Sequence, residues 1–156
     1  MTLKSVLTAI ILGACSSPSA TVPPQGENVF VEWVYDGDTI RVIGIDKRRI
    51  KVRVRGIDCP ESRHNEKCER EGKRGLPNCE QQIPLGKKAK KRAIELLSKK
   101  RVSLVCEDKC QTDKYGRALR YIHLQDGQDF GLLMLREGLC QDFSHRFPHP
   151  RSASYR

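Results

Sequence analysis

Apolar and polar side chains alternate in part over residues 29–34 (VFVEWV), and residues 39–45 (TIRVIGI) are rich in β-branched side chains. With Asp36-Gly37 as the turn signal between them, the pattern predicts a β-hairpin. The period of two is clearest over residues 49–57 (RIKVRVRGI). There Ile50, Val52 and Val54 fall on one side of a predicted strand and Arg49, Lys51, Arg53 and Arg55 on the other, giving a core face and a basic stripe. Residues 59–83 carry charge, Gly, Pro and Asn without periodicity and read as a long loop. Pro84 suits the first turn of a helix, where its missing N–H costs nothing. From Leu85 to Lys100 the apolar positions Leu85, Ala89, Ala93, Leu96 and Leu97 recur at helical spacing among Lys87, Lys88, Lys90, Lys91 and Arg92. Residues 101–106 (RVSLVC) and 118–124 (ALRYIHL) predict two more strands, and residues 130–137 (FGLLMLRE) a short helix stopped by Gly138. Five short strands with a helix before the last two point to a small closed β-barrel with helices against it, an α+β fold rather than repeated βαβ units.

Charge adds a partner class to this outline. The 156 residues include 29 Lys and Arg against 19 Asp and Glu, a formal charge of +10. Such a field concentrates polyanions such as nucleic acid, although a basic surface also serves solubility alone. The composition excludes collagen-like and low-complexity chains and suits one modest core.

The amino terminus reads as a targeting segment. Lys4 is followed by an uncharged, largely apolar stretch ending at Cys15, too short to cross a bilayer as a stable helix. Residues 1–14 are therefore expected to be a signal peptide. The tetrad Leu12-Gly13-Ala14-Cys15 resembles a bacterial lipoprotein signal, with Cys15 lipidated after cleavage; an ordinary secretory signal is the alternative. Residues 15–28 then form a flexible tether, residues 29–147 the folded domain and residues 148–156 a tail. With Cys15 set aside, Cys59, Cys68, Cys79, Cys106, Cys110 and Cys140 remain. An even number in an exported domain reads as disulfides, and the absence of CxxC spacing makes a thiolate metal site the weaker reading. Six cysteines allow fifteen pairings. A plausible set joins Cys68 to Cys79 and Cys106 to Cys110, leaving Cys59 and Cys140.

Acidic groups beside the basic strands suggest chemistry. Asp36 and Asp38 lie in YDGDT, Asp58 and Glu61 in IDCPES, and Arg117 in DKYGRAL. Asp38 and Asp58 at two strand ends suit one hard divalent cation, and Glu61 follows the rigid Pro60 into the same space. The planar forks of Arg53 and Arg117 match phosphate oxygens. Each element alone is common, since Asp-Gly turns are mostly just turns.

The ordered set YDGDT, VRVRGIDCPES, the basic helix, TDKYGRALRYI and LLMLREGLC resembles the thermonuclease family, the staphylococcal-nuclease-like calcium-dependent nucleases, from about Val34 to Phe143. The resemblance implies a five-stranded OB-fold barrel. It implies that Asp38, Asp58 and the backbone carbonyl of Cys59 ligate Ca²⁺, with Asp36 behind them. Glu61 falls on the general-base position, Arg53 and Arg117 on the phosphate-binding arginines, and Lys114 and Tyr115 on the nucleotide site. The implied reaction is hydrolysis of DNA or RNA by in-line water attack, leaving 3′-phosphate ends. The expected partners are single-stranded or denatured DNA and RNA and, through the lipid anchor, a membrane, with the chain acting as a monomer in the cell envelope. Periplasmic or secreted release is the alternative location, and a nucleic-acid-binding module without catalysis the alternative function. The chain departs from the family at Cys59, usually a small polar residue, and after Phe143, where a last helix is expected to be absent. Tyr115, Tyr121 and Phe143 are candidates for base stacking, the last two also for the core.

Overall fold

A computed structural model describes residues 26–156. The proposed signal peptide, Cys15 and most of the tether lie outside the described residues. Strand β1 (Glu27–Asp36) turns at Gly37 into β2 (Thr39–Ile43), and β3 (Arg49–Val54) follows. Because β1 begins at Glu27, paired with Leu104, the barrel starts two residues before the expected start of the folded domain. The predicted strand over residues 49–57 is interrupted. Gly56, at φ +85°, turns the chain after Val54, and Ile57–Asp58 forms a separate short strand, β4.

Two helices then occupy residues 66–97, where a loop and a shorter helix were predicted. Helix α1 (Glu66–Gly72) is capped by Asn65, whose side chain accepts from the backbone N–H groups of Lys67 and Cys68. Its one buried residue is Cys68, so it carries no apolar period to detect. Helix α2 (Cys79–Leu97) starts at a capping box formed by Asn78 and Gln81, five residues ahead of Pro84. Pro84 therefore sits inside the helix, where it cannot donate to the Glu80 carbonyl. Both residues are exposed, so water can serve that carbonyl. Ala89, Ala93 and Leu97 are the fully buried stripe of α2, whereas Leu85, expected in that stripe, is exposed.

Strand β5 (Arg101–Val105), strand β6 (Ala118–His123), helix α3 (Phe130–Arg136), the short strand β7 (Gln141–Asp142) and the one-turn helix α4 (Ser152–Tyr155) complete the chain. The barrel closes in the order β1-β2-β3-β6-β5. All its pairings are antiparallel except that of β3 with β6, and β4 pairs separately with β7. Val29, Val31, Ile40, Val42, Val52, Val54, Ile122 and Phe130 fill the interior, with the stripe of α2 packed on it. This is the closed five-stranded barrel expected from the strand pattern, of the OB type that the family resemblance implies. Tyr121 belongs to its core, at 1% exposure.

The six cysteines form the pairs Cys59–Cys140, Cys68–Cys79 and Cys106–Cys110. The first ties the end of β4 to the start of β7 and closes the longest loop, with a sequence separation of 81. In a chain-entropy account such a closure stabilises by roughly 4–5 kcal/mol.

Residues 148–156 are not a loose tail. His149 and Tyr155 are buried, the Tyr121 hydroxyl and His149 Nδ1 share a 2.7 Å hydrogen bond, and the Tyr155 hydroxyl donates to Asp129. Arg151 pairs with Glu107 and Asp129. After Phe143, where a last helix was not expected, one turn, α4, is docked through polar contacts that a hydrophobic pattern does not register.

Candidate active-site cleft

The parallel pairing of β3 with β6 sets Arg53 opposite Leu119, which brings the segment ending at Arg117 alongside the end of β3. A cleft of about 700 Å³ opens there. Its walls include Asp36, Asp38, Asp58 and Glu61, with Arg53, Lys67, Lys114, Tyr115 and Arg117 facing them.

Arg53 is the centre of the acidic side. It is only 11% exposed and bridges two carboxylates, with Nη1 2.9 Å from Asp38 Oδ2 and Nη2 2.7 Å from Asp58 Oδ1. Asp38 is buried, and its remaining hydrogen bonds come from the Cys59 N–H at 2.9 Å and the Thr39 hydroxyl at 2.9 Å. The turn after β1 and the strand β4 are thereby locked to each other through one carboxylate. Burial pushes the Asp58 carboxyl above its ordinary range, against the opposing pull of Lys67 and Arg53. Burial also raises Asp36; its hydrogen bond from the Ser62 hydroxyl works in the other direction.

Glu61 is held by its surroundings. Its backbone N–H donates to Gln82 Oε1 at 3.2 Å, and its carboxylate accepts from Asn65 Nδ2 at 2.5 Å. Lys67 Nζ lies 2.9 Å from Glu61 Oε1 and 3.0 Å from Asp58 Oδ1. Burial alone would lower the Lys67 ammonium pKa, but Asp58 and Glu61 outweigh it and raise it.

Arg117 approaches from the opposite wall. Asp113 orients it, with Oδ2 2.7 Å from Arg117 Nε and Oδ1 accepting the backbone N–H groups of Tyr115 and Arg117. Arg117 Nη1 reaches Thr39 Oγ1 at 3.4 Å. A polar chain therefore runs from Arg117 through Thr39 and Asp38 to Arg53. Tyr115 is 67% exposed, with Lys114 Nζ 5.1 Å and the Arg117 guanidinium 5.4 Å from its ring centre. Phe143, Phe147 and Arg146 form an apolar and cationic end to the cleft.

Apart from Cys15 and Tyr121, which belongs to the core, the residues predicted for the site from the sequence are in or against this cleft. Cys59 itself is buried behind it in its disulfide. Lys67, Asn65, Gln82 and Asp113 were not singled out by the sequence reading. Only Asp113 had a signal, its place within the TDKYGR motif. Arg49 pairs with Glu32 and Arg55 with Asp108, so the β3 stripe is partly neutralised, and no α2 lysine lines the cleft.

For a metal, the donor chemistry fits a hard cation: carboxylate oxygens of Asp38 and Asp58, with Asp36 and Glu61 in the same cleft. Among the described residues no ready-made group of three or more His, Cys, Asp or Glu side chains is gathered around one point, and Arg53 and Lys67 are paired with the carboxylates.

A small barrel with carboxylates and guanidiniums facing across a cleft defines a protein suited to an anionic ester. Residues 51–154 match the staphylococcal nuclease homologue family, and the chain belongs to that family. It is 36% identical over 117 residues to a thermonuclease of Staphylococcus intermedius, covering 75% of this chain and 60% of that protein. It is 32% identical over 114 residues to endonuclease YncB of Bacillus subtilis (strain 168), covering 73% and 47% respectively. An SPbeta prophage-derived endonuclease YokF of the same organism is 31% identical over 117 residues, 73% of this chain and 33% of that protein. The matches span less than two thirds of each relative.

Proposed function

We propose that this protein is a calcium-dependent nuclease that hydrolyses phosphodiester bonds of DNA and RNA by in-line attack of water, leaving 3′-phosphate ends. The observation that carries this reading is the convergence in one cleft of Arg53 between Asp38 and Asp58, Glu61 beside them, and Arg117 across from them. The family and the names of its endonuclease and thermonuclease relatives support it.

A phosphodiester is already anionic, and attack by a water losing its proton adds charge to the phosphoryl oxygens in the transition state. Arg53 and Arg117 offer planar pairs of N–H donors to those oxygens, and their carboxylate partners hold them oriented beforehand. Glu61 accepts the proton of the attacking water, with Asn65 and Gln82 fixing its position. A Ca²⁺ ion, when held by Asp38, Asp58 and the Cys59 carbonyl with Asp36 behind them, supplies Lewis-acid stabilisation of the phosphoryl group. Lys114 contacts a neighbouring phosphate, while Tyr115 and the Phe143–Phe147 wall accept bases. Stacking on unpaired bases favours single-stranded or denatured substrate.

We further infer that the protein is exported and anchored to the cell envelope through a lipid on Cys15, acting as a monomer. The apolar segment before Cys15 supports this, as do the disulfide pairs, which persist in oxidising compartments.

Cleavage of heat-denatured DNA by the purified protein, with Ca²⁺ or with EDTA, tests the reading. Ca²⁺-dependent cleavage that is abolished in a Glu61→Gln/Arg117→Ala double variant is expected. A folded protein that does not cleave, or a double variant that cleaves equally, would sink the assignment.

A further inference from the structure

The segment that includes α1 reaches the cleft with more than Asn65. Lys67, on the first turn of α1, places its ammonium 2.9 Å from Glu61 Oε1 and 3.0 and 3.2 Å from the two oxygens of Asp58. Its backbone is fixed on both sides. Asn65, two residues before it, caps the helix, and Cys68 immediately after it is fully buried and disulfide-bonded to Cys79 at the start of α2. This is a built placement, unlike that of the solvated lysines on α2.

Oxygens of Asp38 and Asp58 are also engaged by other donors. Asp38 accepts from Arg53, the Cys59 N–H and the Thr39 hydroxyl, and Asp58 Oδ1 is shared between Arg53 and Lys67. Asp58 and Glu61 turn carboxylate oxygens toward one shared space, and the Lys67 ammonium fills it.

We propose that Lys67 is the resident counter-cation of this cleft: a divalent cation binds only by displacing the Lys67 ammonium from Asp58, so that Lys67 sets how much Ca²⁺ the protein requires. The inference rests on the calcium-dependent reading above. Two cations within hydrogen-bonding distance of the same carboxylate repel each other, and a half-buried cleft screens that repulsion poorly. Displacement has a ready destination. Glu71, one turn along α1, already lies 4.0 Å from Lys67 Nζ, and its other oxygen is held by Gln82 Nε2 at 2.8 Å. A small rotation of the lysine stem exchanges Asp58 for Glu71 without unpairing the ammonium.

Calorimetric titration of Ca²⁺ into the full chain, without nucleic acid, tests this. Lys67→Met, which keeps the length of the stem and removes the charge, is expected to bind Ca²⁺ at least about tenfold more tightly than wild type. Lys67→Arg, which keeps the charge, is expected to stay within about threefold of wild type. Equal or weaker binding by the Met variant overturns the role of Lys67 while leaving the calcium reading intact. Absence of Ca²⁺ binding in wild type and variant alike overturns both. Should the Met variant fail to fold, Glu71→Gln decides: weaker Ca²⁺ binding is expected because the displaced ammonium loses its second partner, and unchanged binding overturns the proposal.

Discussion

Gly86 on α2 lies so close to Glu61 that a Cβ at position 86 would stand 2.2 Å from the Glu61 carbonyl oxygen and 2.6 Å from that of Pro60. The backbone that carries the proposed general base is packed directly onto a helix, and only the absence of a side chain at position 86 permits the approach. Both contacts are to backbone, which cannot rotate away.

Gly86→Ala is therefore expected to push Glu61 out of register. Overpacking of this kind costs about 1–3 kcal/mol, visible as a lower urea midpoint. A displacement of about 1 Å at a reacting group costs roughly 10²-fold in rate. The expected result is a variant that is still folded at 25 °C, with kcat/KM reduced by about that factor. Unchanged activity would show that the α2 contact does not position Glu61.

Asp113 is expected to act through Arg117. Removing it in Asp113→Ala frees a guanidinium that Oδ2 holds at 2.7 Å. The variant should lose about tenfold or more in kcat/KM, while Asp113→Ala/Arg117→Ala is no slower than Arg117→Ala alone. Additive losses in this double-mutant cycle would separate the two residues.

The barrel was legible in the sequence because its strands alternate: Ile50, Val52 and Val54 against Arg49, Lys51 and Arg53 is a pattern that burial on one face alone produces. The acidic and basic residues of the cleft were legible because they sit in short motifs at strand ends. Helix α1 was not, because capping by Asn65 and the Cys68–Cys79 pair hold it where an apolar face normally would. Lys67 was hidden with it, one more lysine in a charged stretch until the helix brought it to Asp58. The docked terminus was invisible for a related reason: Arg151, His149 and Tyr155 anchor it through ion pairs and hydrogen bonds, and such residues read as a polar tail.

That terminus confers a pH dependence. Burial holds the His149 imidazole below its ordinary pKa of 6.5, and Arg55 and Arg151 push the same way against Asp142 and Asp129. Its Nε2 is buried without a hydrogen-bond partner. Since the folded pKa is the lower, the contribution of His149 to stability is full above about pH 6.5 and is lost as pH falls through the folded value. The fall in Tm between about pH 7.5 and about pH 5 is expected to be larger in wild type than in His149→Gln, which cannot titrate. Identical falls would show that the imidazole is not protonated on unfolding.

The Asp38–Asp58–Glu61 cluster, with Arg53 and Arg117, is proposed to hydrolyse phosphodiesters. The most direct test is the single-turnover cleavage rate of a labelled single-stranded oligonucleotide with excess enzyme and Ca²⁺, for wild type and for Glu61→Gln. Wild type is expected to give 3′-phosphate products, and the variant a rate about 10²–10⁴-fold lower at unchanged Tm. Equal rates, or no cleavage by folded wild-type protein, would contradict it.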